Sequence, residues 1–140
     1  MRILAVDPGD KRIGIALSDA SGTLASPLQV LAHESRDADA AHIAALATQH
    51  GAERIIVGQA FGEDGQPNYS GRKAARLAGA LRAATSIPVQ LWEESYSTQE
   101  ALAARRALGA STQDIDASAA AVILQDYLDN QNQSINRLTD

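Results

Sequence analysis

The 140-residue chain contains no cysteine. Disulfides and thiolate metal sites are therefore excluded, which fits a reducing compartment. A charged leader running into a long apolar segment is also missing. No apolar run approaches the roughly 18 residues that a membrane helix needs. These absences lead to the expectation of a soluble, cytoplasmic protein with no membrane partner. There is no G-x-S-x-G elbow and no H-E-x-x-H pair. The three histidines, His33, His42 and His50, lack a ligand spacing and read as structural or surface residues. A surplus of positive charge is absent as well. The net charge of −5 argues against a general nucleic-acid coat protein. Six of the twelve basic residues nevertheless fall between positions 72 and 106: Arg72, Lys73, Arg76, Arg82, Arg105 and Arg106. Such a concentration can be a set of solvated helix faces, or it can hold phosphate locally.

Apolar residues make up 45% of the chain, and its length suits one domain around one core. Residues 2–7 and 12–19 read as strands joined by a tight Pro-Gly-Asp-Lys turn, and 23–31 reads as a third strand. Connections this short favour an antiparallel meander. Residues 38–50 show helical spacing through Ile43, Leu46 and Ala47 and stop at Gly51. The run 54–58 resembles a strand buried on both faces. Residues 61–71 form a Gly/Pro/Asn loop long enough to be mobile or functional. Helices are expected over 72–85, 98–108 and from about Ile115 to Asn130, with a strand at Val89–Glu94 between the first two. This order, three strands and then alternating helices and strands, predicts an α/β fold. Its mixed sheet would combine a three-strand antiparallel meander with two parallel strands, with helices on both faces. One domain spans 1–130, and a polar C-terminal tail covers 131–140.

Asp7, at the tip of the first strand, can be a turn residue, part of a phosphate loop or a metal ligand. Strand alternation puts Ile3, Ala5 and Asp7 on one face. It separates Val89, Leu91 and Glu93 from Gln90, Trp92 and Glu94, so at most one of the two adjacent glutamates can sit beside Asp7. In the last helix, Asp116 is in phase with Ala120, Ile123 and Tyr127, near the helix start. Buried carboxylates need compensation. The alternatives are an N-terminal acid favoured by the helix dipole at Asp116, with Asp114 the better cap, and a solvated strand end at Glu94. Together, the three acids suit Mg²⁺ or Mn²⁺, which take hard oxygen ligands. Two such ions can clamp an in-line attack on phosphorus without a protein nucleophile.

Four blocks, DPGDKRIGIALSD, IIVGQAFGEDGQ, PVQLWEESYSTQEA and DIDASAAAVILQDYLD, occur in order and span nearly the whole chain. Together they resemble the YqgF/RuvX family of pre-16S ribosomal RNA nucleases, relatives of Holliday-junction resolvases. The resemblance implies a five-stranded RNase H-like fold. It also implies metal-dependent phosphodiester cleavage of nucleic acid, RNA first and branched DNA second, by a monomer or homodimer. By position in the family blocks, Asp7, Glu94 and Asp116 are the expected catalytic and metal-binding acids. Asp7 would bridge two Mg²⁺ or Mn²⁺ ions while the other two complete the coordination. Lys11 corresponds to the family lysine after the first strand. Lys11, Arg12, Arg72, Lys73 and Arg76 are the expected nucleic-acid contacts. The chain departs from the family pattern at Ser95, where the family has arginine, a bidentate phosphate donor. It departs again at Gln59–Gly62, where the family reads L-P-L-N, and at Glu93, where an aspartate is usual. Other readings are a junction resolvase and a non-catalytic nucleic-acid-binding module. A further one is the phosphate turn of sugar kinases and actin-like ATPases, suggested by D-x-G-x-x-x-x-G from Asp7 to Gly14. That last class needs two such domains, and this chain supplies one.

Overall fold

A computed structural model describes residues 1–60, 65–66, 69–94, 100, 104 and 112–139, without the side chains of 70, 112–117 and 133–139. The chain begins with three strands, β1 (Ile3–Pro8), β2 (Arg12–Ser18) and β3 (Ala25–Ala32). Helix α1 (Arg36–Gln49), strand β4 (Arg54–Gln59), helix α2 (Tyr69–Ala84) and strand β5 (Val89–Glu93) follow. The last element is helix α3 (Thr112–Thr139). The sheet order is β3-β2-β1-β4-β5. β1 pairs antiparallel with β2, and β2 with β3, while β4 lies parallel to both β1 and β5. The expected meander plus two parallel strands is therefore the observed sheet.

Short local signals explain the elements. At the β1–β2 turn the Gly9 N–H donates to Arg12 O at 3.0 Å. A Cβ on Gly9 would stand 2.4 Å from that same carbonyl oxygen, so only glycine fits the turn. Ser35 caps α1 by accepting from the Ala38 N–H at 3.1 Å, and the helix therefore starts before position 38. At its other end Gly51 takes a positive φ of 67°. The central strands β1 and β4 are buried on both sides, with Leu4, Ala5, Val6, Ile55, Ile56 and Val57 all fully inaccessible.

Alternation along these strands divides the core into two layers. Leu4, Val6, Ile55 and Val57 face Ile43, Leu46, Ala74, Leu77 and Leu81 of α1 and α2. Ile3, Ala5 and Ile56 face Ala120, Ile123, Leu124, Tyr127 and Leu128 of α3. Each fully buried aliphatic side chain of this size contributes about 1.5–3 kcal/mol. Helices thus cover both faces, as the element order implied.

Several further boundaries differ from the sequence reading. β2 ends at Ser18 and β3 begins only at Ala25. The reason is Asp19, whose Oδ1 accepts from the N–H groups of Thr23 (2.8 Å) and Leu24 (3.2 Å) and closes the intervening residues into a turn. α2 begins at Tyr69, inside the expected loop. α3 runs past Asn130 to Thr139, because the polar stretch after Asn130 contains neither glycine nor proline to stop a helix. Apart from positions 100 and 104, the expected helix over 98–108 lies outside the described residues, as do residues 61–64 and 67–68 of the expected loop 61–71. Among the described residues no helix is long and apolar enough to cross a membrane.

Candidate active site

β1, β4 and β5 end together at one edge of the sheet. Asp7 pairs directly with Gly14 of β2. Val6 pairs with Val57 of β4, and one step further along the same parallel register stands Gly58. Asp7 therefore has a glycine at the adjacent position of each neighbouring strand. The face is the one covered by α3, since Ile3 and Ala5, in phase with Asp7, pack against that helix.

Glu94 reaches the same place from β5. Its N–H donates to Gln59 O at 3.0 Å, carrying the β4–β5 pairing one residue past the strand. Trp92, two residues earlier, packs in the α3 layer, whereas Val89 and Leu91 pack against the other one. Glu94 thus shares a face with Asp7, and Glu93 is exposed. A Cβ built on Gly58 would lie 3.2 Å from Glu94 Oε1 and 3.0 Å from Ile123 Cδ1. The missing side chain at position 58 is what lets the glutamate carboxylate and α3 approach the sheet end so closely. Sequence reasoning did not single out Gly58, and it met Gly14 only as the end of the D-x-G-x-x-x-x-G pattern, not as a neighbour of Asp7. The available signal was a glycine inside an apolar strand, which often marks a close approach.

The approach of α3 is fixed by polar contacts along its length. Trp92 Nε1 donates to Asp126 Oδ2 at 3.1 Å, and the Trp92 and Tyr127 rings meet edge to face at 5.1 Å. The buried Tyr127 hydroxyl accepts from Arg54 Nη1 at 2.5 Å. Gln125 binds the β2–β3 connection twice, accepting from the Ala25 N–H and donating to Thr23 O. These contacts set the rotation of the helix. Asp116 lies in its first turns, four residues before Ala120 and seven before Ile123, on the row that is buried further along. Its side chain is outside the described residues.

The expected nucleic-acid contacts separate into groups. Lys11 lies exposed in the β1–β2 turn, and Arg12 opens β2. Arg72 is exposed on α2. Lys73 ties that helix to the turn, donating to Gly9 O at 2.5 Å and to Asp10 Oδ1 at 3.1 Å. Lys73 and Arg76 line a cavity together with Ile13 and Leu77, which places them on the side of the sheet covered by α1 and α2, away from the α3 layer. Ser95, the departure from the family pattern, lies outside the described residues. His33, read as structural or surface, pairs through Nδ1 with Asp39 Oδ2 at the mouth of the same cavity.

The donor set at the sheet end fits a hard divalent cation, because Asp7 and Glu94 bring carboxylate oxygens to one face beside a position without a side chain. Among the described residues no three acidic or histidine side chains form a complete metal site. The remaining expected ligand is Asp116.

A five-stranded mixed sheet of this order with helices on both faces is an RNase H-like fold. Solved structures bear this out at the level of the fold. Thermus thermophilus RuvC, in complex with a Holliday junction substrate, superposes with a TM-score of 0.56 at 19% identity, covering 88% of this chain and 91% of that one. The Fowlpox virus resolvase, in complex with Holliday junction DNA, gives a TM-score of 0.57 at 13% identity, covering 94% of this chain and 99% of the other. The family model described as RuvX, Holliday junction resolvase, matches residues 1–130, and the chain belongs to that family. A protein of Anaeromyxobacter sp. (strain Fw109-5), named provisionally as a pre-16S rRNA nuclease, is 41% identical over 136 residues, covering 94% of this chain and 99% of the relative. A second, from Thermoanaerobacter pseudethanolicus and named in the same way, is 38% identical over 136 residues, covering 94% and 98%.

Proposed function

We propose that the chain is a nuclease of the RuvX family that cuts phosphodiester bonds with Mg²⁺ or Mn²⁺, and that its substrate is the 5′ end of pre-16S ribosomal RNA in the cytoplasm. The observation that carries this reading is the approach of Glu94 Oε1 to within 3.2 Å of the Cβ position at Gly58, on the face that Asp7 shares. The names of the relatives support ribosomal RNA as the substrate.

In this reading Asp7, Glu94 and Asp116 hold the metal, with Asp7 central. When bound there, a pair of divalent ions supplies an activated water and charge stabilisation for the leaving oxygen. The protein's own part is positional. Gly14 and Gly58 keep the space beside Asp7 open, and the Trp92–Asp126 and Tyr127–Arg54 contacts hold α3 against it. Lys11 in the β1–β2 turn and Arg12 at the start of β2 steer the nucleic-acid backbone towards the carboxylates.

The test is cleavage of a 5′-extended pre-16S transcript in Mn²⁺. Asp7→Asn should lower the rate about a thousandfold, since such metal sites supply several kcal/mol and each 1.36 kcal/mol is tenfold in rate. The melting curve in metal-free buffer should change little. Full activity in the variant would remove Asp7 from the mechanism. The family description favours a second reading, a Holliday-junction resolvase. Symmetric cutting of a four-way junction with the transcript left intact would select it.

A further inference from the structure

A cavity of about 220 Å³ opens at the end of β1 beside Gly9, on the side of the sheet opposite the α3 layer. Its walls come from the β3–α1 connection and from α2, and its polar lining includes His33, Arg36, Asp39, Lys73 and Arg76. Tyr69 stands at the rim with 62% of its surface exposed, one of three large apolar side chains left in solvent among the described residues.

The charges are unevenly satisfied. Asp39 is 5% exposed and fully engaged, accepting from His33 Nδ1 and from the Glu34 N–H at 3.0 Å. Because a carboxylate only accepts, the imidazole carries a proton on Nδ1, and Nε2 remains as its second polar atom. Lys73 uses two of its three donors on Gly9 O and Asp10. Arg36 and Arg76 have no ion-pair or hydrogen-bond partner among the described residues, yet both line the same concavity. The one carboxylate in the lining, Asp39, is taken up by His33 and the Glu34 N–H, so the two guanidinium groups lack a counter-charge there and repel each other. A bound dianion reverses the sign of that interaction, and guanidinium forks match phosphate oxygens bidentately. The N-terminus of α1, capped by Ser35, opens into the same cavity and adds a favourable dipole.

Size and rim narrow the ligand. A cavity of about 220 Å³ is below the range of about 300–1,000 Å³ typical of drug-sized sites. It therefore takes a phosphate and its sugar and leaves an attached base at the mouth, where the exposed Tyr69 ring offers a stacking surface. We propose that this cavity is a second binding site, separate from the acids, for a nucleoside 5′-phosphate. The phosphate lies between Arg36 and Arg76, the third Lys73 donor assists it, and the base stacks on Tyr69. The ligand is either the 5′-terminal nucleotide of a nucleic-acid strand or a free mononucleotide.

The experiment is calorimetric titration of the full chain in metal-free buffer. The probes are uridine 5′-monophosphate and one hexaribonucleotide carrying either a 5′-phosphate or a 5′-hydroxyl. The 5′-phosphate should tighten oligomer binding at least about fivefold, or uridine 5′-monophosphate should itself bind saturably. A mononucleotide as tight as the phosphorylated oligomer identifies the free nucleotide as ligand, and a much weaker one identifies the strand end. The Arg36→Gln/Arg76→Gln double variant, altered only at exposed positions, should lose at least tenfold of this affinity, and Tyr69→Ala about five- to tenfold. Asp7→Asn should bind as the parent does, so that loss of cleavage and loss of this site are read separately. The proposal is overturned if neither probe shows phosphate-dependent binding, or if the double variant retains it.

Discussion

The end of β1 presents two different chemistries on its two sides. Towards α3, Asp7 lies between Gly14 and Gly58, and Glu94 reaches over Gly58 from β5. Towards α1 and α2, Arg36 and Arg76 line a cavity whose one buried acid, Asp39, is already paired. A carboxylate cluster repels bare phosphate and holds it only through divalent cations, whereas a guanidinium pair holds it directly. The net charge of −5 averages over both sides and conceals the difference. The strand alternation that makes β1 a core element also separates the two: Asp7 continues the Ile3–Ala5 face, and the cavity continues the face of Ile13 and Leu77.

This contrast can be broken at several strengths. The largest structural effect is expected from Tyr127→Ala, which removes a fully buried ring, its edge-to-face contact with Trp92 and the partner of Arg54. Aromatic-to-alanine changes in cores cost about 3–5 kcal/mol. Chemical denaturation should show a loss of that size, and cleavage should fall as α3 loosens. A denaturation midpoint unchanged from the parent would mean that α3 is held by other contacts.

Gly58→Ala sharpens the comparison on the acidic side alone. Its methyl group would meet Ile123 Cδ1 at 3.0 Å and Glu94 Oε1 at 3.2 Å. Overpacking of this kind costs about 1–3 kcal/mol. The rate of cleavage should fall more than stability does, because the displaced atom is a proposed metal ligand. Binding of uridine 5′-monophosphate on the opposite side should be unaffected. A variant that cuts at the parental rate would show that the crowding at Gly58 has no bearing on the chemistry.

The smallest effect serves as a control at the far end of β2. Asp19 is held below the usual carboxylate range by the backbone N–H groups of Thr23 and Leu24 and by the Ser21 hydroxyl. A depressed folded-state value means that Asp19 adds stability above its ordinary value near 4. That contribution is lost as pH falls through the lower folded value. Asp19→Ala should flatten the acid limb of the stability curve and leave cleavage at neutral pH unchanged. An acid limb identical to the parent's would show that the turn does not depend on this carboxylate.

Much of the fold was readable before the structure. Short apolar runs bounded by Pro8–Gly9, Gly51 and Pro88 marked the strands, and connection lengths set their directions. Alternation placed Asp7 with Ile3 and Ala5, and Glu94 with Trp92, on what proves to be a single face. Less local features were not readable. Glycines 14 and 58 matter because they stand next to Asp7 in the sheet, a relation that depends on register between distant strands. Asp39 lies in phase with the buried Ala40, Ile43, Leu46 and Ala47 of α1, the same kind of signal that picked out Asp116. Its partner His33 stands in a connection where no period applies. The cationic residues could be counted along the chain, but which side of the sheet Lys73 and Arg76 serve follows only from how α2 packs.

The most direct test of the central claim is the anomalous signal of Mn²⁺ in crystals of the chain. Density is expected in contact with carboxylate oxygens of Asp7 and Glu94 on the α3 side of the sheet, and none in the cavity lined by Arg36 and Arg76. Crystals of active protein in which Mn²⁺ binds elsewhere, with both carboxylates bare at saturating metal, would contradict it.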